Sequence, residues 1–270
     1  MLAFAAAMLA AVSCGTKEAP KKVLVLYYSQ TSNTKTVAQE IANRLDADIE
    51  EIVPVNPYDG DFQTTIARCM QEREQNITPE IKPVAADLAK YDIVFLGYPI
   101  WFGTFAPPID AFLSQADLSG KKIVPFCTFG SGGLDSSTRA LAEKQPNAEI
   151  VPGYGVRAAR MAAVPKEIDQ FLKAAGFMEG EYTQLEAFAD EHPVSDEETG
   201  IFNAAVGDYP MIQAEAKTVS SRPIPNGTEY LFTAVPLPRE DNANMPPAGE
   251  MKVYVTVTEG ESPVFTQVIR

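Results

Sequence analysis

The 270-residue sequence holds one histidine, one tryptophan and three cysteines, and each scarcity excludes something. Its single histidine, His192, sits in the acidic segment EHPVSDEE, so the chain offers no evident Ser-His-Asp system. His192 reads as a solvated or capping side chain. Three cysteines cannot staple a disulfide miniprotein, and neither Cys69 nor Cys127 stands in a CxxC or other metal-type spacing. Both read as buried thiols. Positive charge is short as well: 22 Lys plus Arg face 36 Asp plus Glu, a formal net charge of −14. That excess argues against nucleic acid as a partner. The N-terminal apolar run, Met1 to Val12, is shorter than the roughly 20 residues that span a bilayer. The glycine-lysine pattern of a nucleoside-triphosphate loop is missing too, so a triphosphate with magnesium is not expected.

What is present is the composition of a folded chain, 46% hydrophobic and 21% charged. At about 150 residues per domain the length suggests two domains. Charge divides unevenly between them. Residues 1 to 178 hold 17 Lys plus Arg against 20 Asp plus Glu, a net of −3, whereas residues 179 to 270 hold 5 against 16, a net of −11. Most of the acidity belongs to the C-terminal third.

Met1 to Val12 ends in Ser13-Cys14-Gly15 and is followed by a polar linker containing Pro20. It reads as the apolar region of a secretory signal. With small residues before Cys14, the segment resembles a bacterial lipoprotein signal, although Ala11 stands where Leu is usual and no Lys or Arg precedes the apolar run. The resemblance implies lipidation at Cys14 and a place in the bacterial cell envelope, anchored to the membrane and facing the periplasm or exterior. Without that signal the chain would be cytoplasmic. Residues 1–20 are taken as signal and linker.

From residue 21 to 178 buried strands alternate with amphipathic helices. Strands are expected at Lys22 to Tyr28, Asp48 to Val53, Asp92 to Gly97, Lys121 to Thr128 and Ala148 to Val151. Helices are expected over Val37 to Leu45, Phe62 to Glu74, Pro108 to Ser114, Ser136 to Lys144 and Pro165 to Ala174, with a short one before the third strand. This order predicts an α/β fold with a doubly wound, five-stranded parallel sheet. Ligands of such sheets bind beyond the carboxyl ends of the strands.

Three loops lie at those ends. The first, Ser29-Gln30-Thr31-Ser32-Asn33-Thr34, brings hydroxyls and backbone N–H groups to a helix N-terminus, which suits a phosphate dianion; clusters of this kind also simply cap helices. The second, Gly97 to Thr104, contains Pro99-Ile100-Trp101-Phe102-Gly103. It places the only tryptophan beside another aromatic, where it can cover a flat ring or roof the core. The third, Thr128-Phe129-Gly130-Ser131-Gly132-Gly133, offers close backbone approach with N–H groups for a heterocycle's carbonyls, or an ordinary turn.

Taken in this order and spacing, the three loops resemble those of flavodoxins over residues 21 to 178. SQTSNT is similar to their phosphate loop, GYPIWFGTFAPPIDAFL to their second flavin-contacting loop and TFGSGG to their third. The resemblance implies noncovalent FMN, with Ser29, Gln30, Thr31, Ser32, Asn33 and Thr34 around the phosphate. It further implies Pro99, Ile100, Trp101, Phe102 and Gly103 along one flavin face, with Thr128, Phe129, Gly130, Ser131 and Gly132 near the polar edge. Ser32 stands where the family has Gly, a change that a helical backbone would tolerate. The third loop lacks the tyrosine that usually stacks on the second flavin face. An electron carrier serving a redox protein or a small-molecule acceptor is the leading expectation. An NAD(P)H-dependent quinone or flavin reductase comes next, then a flavin-free surface binding protein.

Residues 179 to 270 read as a separate acidic α+β module. Helical stretches are expected near Tyr182 to Ala189 and Gly200 to Val206, and antiparallel strands at Ile212 to Val219, Glu229 to Val235, Lys252 to Thr258 and Val264 to Ile269. Asn226 to Phe232 resembles the central hairpin of cystatin-like domains, but Lys217 to Ser221 departs from their inhibitory loop. No catalytic set is visible, and a binding or spacer role is expected.

Overall fold

The computed structural model describes residues 21–207, 209–210, 212–237 and 249–270; the expected signal segment with Cys14 lies outside them. The first sheet runs in the order β2-β1-β3-β5-β6, all parallel, from β1 (Val23–Tyr27), β2 (Asp48–Glu51), β3 (Ile93–Trp101), β5 (Lys122–Phe129) and β6 (Glu149–Ile150). A two-residue strand, β4 (Thr104–Phe105), turns back antiparallel on β3.

Alternation along the strands sends side chains to two cores. Leu24, Leu26, Val94, Leu96 and Tyr98 join one cluster, with Ile109 and Phe112 of α3 (Pro107–Leu113) and Leu141 of α4 (Leu134–Lys144). Val25, Tyr27, Phe95, Val124 and Phe126 join the other, with Val37, Ala38 and Ile41 of α1 (Asn33–Leu45) and Ile168 and Leu172 of α5 (Val164–Ala174). Both faces of the sheet are covered, so its strands read as continuous apolar runs. Each fully buried Phe or Leu contributes roughly 1.5–3 kcal/mol. α2 (Phe62–Glu74) begins where Asp61 accepts a hydrogen bond from the Thr64 N–H at 2.8 Å.

The fifth strand departs from expectation, because Pro125 interrupts it. β5 pairs with β6 through Lys122 and Ile123, then with a separate strand, β7 (Tyr154–Arg157), through Phe126 to Phe129. Pro125 has no N–H to donate to the edge strand. The segment between β6 and β7 loops away beside it, and at Gly153 a Cβ would come within 2.2 Å of the Pro125 carbonyl oxygen.

The C-terminal module is a second, antiparallel sheet ordered β12-β11-β10-β9-β8, from β8 (His192–Pro193), β9 (Ala214–Ile224), β10 (Gly227–Pro236), β11 (Met251–Thr258) and β12 (Val264–Ile269). Its apolar face packs on Phe202 and Val206 of α6 (Asp196–Val206), which starts with a Ser195/Glu198 capping box. The helix expected near Tyr182 to Ala189 does not form; that stretch is extended coil. Tyr182 and Leu185 stay 46% and 41% exposed, so it has no apolar stripe to bury. Instead Phe188 packs against Tyr254 and under the Arg222 guanidinium, strapping the segment to the sheet.

Candidate functional site

The first predicted loop leaves the carboxyl end of β1, but β3 runs on through Gly97 to Trp101 and β5 through Thr128 and Phe129, so the second loop begins only at Phe102 and the third at Gly130. Ser32, at the N-cap of α1, adopts φ 68°, the left-handed region, and its side chain makes no capping bond. The helical backbone expected to excuse a serine there is not what forms; the position has the geometry a glycine serves, at a cost of roughly 1–2 kcal/mol for any other residue. The first-turn N–H groups of α1 have no intrahelical partner. Beside them, Ser29 Oγ is buried without any hydrogen-bond partner, an atom of a kind that normally finds one.

The second loop is a tight hairpin. Phe102 (φ 50°) and Gly103 (φ 81°) both lie at positive φ, as a two-residue turn of this hand requires. Phe102 remains 47% exposed, with the Arg73 guanidinium carbon 5.2 Å from its ring centroid. Trp101 is half-buried, held edge-on by Tyr28 (centroids 5.8 Å apart) and Tyr58 (5.2 Å). The start of α4, just after the third loop, is tied to the second loop, because the Ser136 hydroxyl donates to the Gly103 carbonyl at 2.5 Å.

Between these loops lies a cavity of about 670 Å³, within the roughly 300–1,000 Å³ usual for small-ligand sites. It brings together Gln30, Ile100, Trp101, Phe102, Gly103, Gly130, Ser131 and Gly132 of the expected residues. Ser29, Thr31, Ser32, Asn33 and Thr34 do not line it. Thr34 and Thr128 are buried and bond each other through their hydroxyls at 2.8 Å. Phe129 belongs to the core and Pro99 to the β3–β5 ladder, opposite Thr128. His192 lies in β8 and is not part of the cavity wall.

The cavity also has walls that sequence reasoning missed. One is α2, through Thr65, Ile66 and Cys69, and another is the start of α4, through Asp135, Ser136 and Arg139. Gln30 joins α2 to the first loop, donating to Thr65 Oγ1 at 2.8 Å and to the Tyr58 carbonyl at 3.0 Å. Cys69 is held as a thiol, its pKa pushed up to about 11 by burial and by nearby Glu72; it is no thiolate nucleophile at neutral pH. The last wall is the C-terminal module, through Tyr209 and Gln267 to Arg270. Nothing local in the sequence marks those positions. Among the described residues no group of three or more His, Cys, Asp or Glu side chains could hold a metal, and no helix is long and apolar enough to cross a membrane.

Residues 22–170 match the flavodoxin family. The chain belongs to that family. Among solved structures it is similar to a candidate flavoprotein from Bacteroides eggerthii, at 28% identity and a TM-score of 0.51, over 58% of this chain and 98% of that one. A flavoprotein in complex with FMN from Lactobacillus acidophilus matches at 26% identity and a TM-score of 0.46, over 54% of this chain and 97% of that one. A curated relative, an NAD(P)H dehydrogenase (quinone) from Gluconacetobacter diazotrophicus, is 32% identical over 99 residues, 35% of this chain. The matched stretch spans 46% of that relative's length.

Family membership makes a flavin the group to test against the site. Outside the cavity, next in the chain to Gln30 on its wall, one buried, partnerless hydroxyl at Ser29 and an uncapped helix N-terminus fit a phosphate. The cavity fits a planar heterocycle, with Trp101, Gly130 and Gly132 all on its wall.

Proposed function

We propose that this flavodoxin-family protein binds FMN noncovalently and passes electrons through it. The observation that carries the reading is the Ser29 hydroxyl, buried with no partner at the mouth of α1, where a phosphate oxygen would satisfy it. When bound, the flavin supplies the redox chemistry, and the protein tunes it.

The chain's own residues bind and orient. Ser29 and the first-turn amides of α1 hold the phosphate, without a lysine or a metal. Trp101, its ring fixed by Tyr28 and Tyr58, stacks on the ring system and keeps water from that side. Gly130 and Gly132 let the main chain approach the heterocycle's polar edge. Gln30 braces the first loop against α2.

Comparing FMN with riboflavin tests the phosphate assignment. Ser29→Ala should weaken FMN binding by about 1 kcal/mol, the worth of one hydrogen bond, and leave riboflavin binding unchanged. Equal losses for both ligands would remove Ser29 from the phosphate site.

A second reading, an NAD(P)H-dependent quinone reductase, has one observation in its favour. The curated relative at 32% identity bears that name. Oxidation of NADPH by the FMN-loaded protein with a quinone present would support it, and inertness would leave the carrier.

A further inference from the structure

The third loop is bound on its outer side by the protein's own C-terminal strand. Val268 N–H donates to the Ser131 carbonyl at 2.7 Å. Arg157, only 8% exposed, donates from Nε to the Gly130 carbonyl and from Nη1 to the Phe265 carbonyl, each at 2.9 Å. Its guanidinium carbon lies 3.3 Å from the Phe265 ring centroid. A Cβ at Gly132 would meet the Val268 carbonyl oxygen at 2.0 Å, and one at Gly130 would meet the Tyr209 hydroxyl at 2.8 Å. Both glycines therefore admit the C-terminal module.

From this seating we infer that the C-terminal module closes one side of the flavin cavity and limits it to small, planar electron acceptors. The inference rests on the cavity being the flavin site. Tyr209 lines the cavity from the module, its ring 5.2 Å from that of Phe265 and 5.4 Å from the Arg157 guanidinium carbon. A tyrosine brings a ring face and a polar tip, the combination that packs on a heterocycle and still meets solvent. Residues 267 to 270 extend the same wall. A protein partner has to bring its own redox centre close to the flavin, and Tyr209 with residues 267 to 270 takes up one side of the cavity that such a partner would need to approach, whereas a quinone-sized molecule needs no docking face on that side.

The wall can be read without any flavin, because Trp101 is the only tryptophan and lines the same cavity. In the FMN-free full-length chain, Gly132→Ala should unseat β12 and raise acrylamide quenching of Trp101 by about twofold, as local opening exposes the site. Tyr209→Ala should raise it by a smaller factor and weaken FMN binding about fivefold to tenfold, from loss of a ring contact. If Gly132→Ala fails to fold, Tyr209→Ala carries the same test. Unchanged Trp101 quenching in both variants overturns the wall.

Selectivity is read on FMN-loaded protein reduced with dithionite. p-Benzoquinone, which takes two electrons and two protons to become the hydroquinone, should reoxidise it at least about tenfold faster than cytochrome c, and Gly132→Ala should narrow that gap by admitting the protein. Equal rates in the unaltered chain overturn the limit to small acceptors. If the unaltered chain takes up no FMN, the flavin reading fails and Trp101 shielding alone decides the wall.

Discussion

The flavodoxin domain and the C-terminal module build their sheets by opposite rules. In the first, helices cover both faces of a parallel sheet, two apolar clusters form, and charge is near balance at −3 over residues 1 to 178. In the second, among the described residues, one helix covers one face of an antiparallel sheet and a single cluster forms, and residues 179 to 270 carry −11. A doubly covered parallel sheet collects its loops at the carboxyl end, where β1, β3 and β5 deliver the three loops. An antiparallel meander has no such privileged end. It reaches the site through one strand terminus, β12, and one tyrosine, so the division into two domains by sequence hides a site to which both contribute.

The sharpest way to break that joint is Arg157. Its partners are two carbonyls, one from each region, in a buried position. Arg157→Ala leaves both without it and removes the ring contact to Phe265, a loss expected at about 2–4 kcal/mol of unfolding free energy. Denaturation followed by Trp101 fluorescence measures it. A loss below about 0.5 kcal/mol, the level of an ordinary surface substitution, would mean that the regions are joined elsewhere.

Trp101→Ala sharpens the comparison from the flavodoxin side. It should weaken FMN binding by about 1–3 kcal/mol through lost stacking and burial, and calorimetric titration would show whether affinity is instead unchanged.

Acid should act on the module through Glu191. This carboxylate accepts from Thr218, from Thr233 at 2.5 Å and from Lys252 at 3.3 Å, across three strands. Those hydrogen bonds lower its pKa from 4.5 to about 2, with Thr218 the largest contributor. Because the folded-state pKa is depressed, the contribution is present above pH 4.5 and lost as pH falls through about 2. Glu191→Gln should flatten the module's stability over that window, and a curve of unchanged steepness would count against the assignment. The smallest effect is expected at Ser32, where Ser32→Gly relieves left-handed strain for a gain of at most about 1 kcal/mol in thermal stability.

Much of the flavodoxin domain was legible because its signals are local. Lys22 to Tyr28 is a continuous apolar run, and Asp61 caps a helix that spans Phe62–Glu74 as its pattern predicts. Pro125 shows where locality fails: it sits inside an apolar run that reads as unbroken, yet its missing N–H divides the strand beside it into β6 and β7. Tyr182 to Ala189 has helical composition, but a helix there would have had no apolar face to cover. At the site, Trp101, Phe102 and the third-loop glycines were found because aromatic and glycine residues after buried strands carry a physical signal. Tyr209 and residues 267 to 270 were not, since their place follows from how two sheets meet.

The cavity beside Trp101 is the proposed flavin site. Titrating the full-length chain with FMN while following flavin and Trp101 emission together tests it most directly. Saturable, equimolar quenching of both signals is the predicted result. FMN emission that stays unquenched, with Trp101 unaffected, would contradict it.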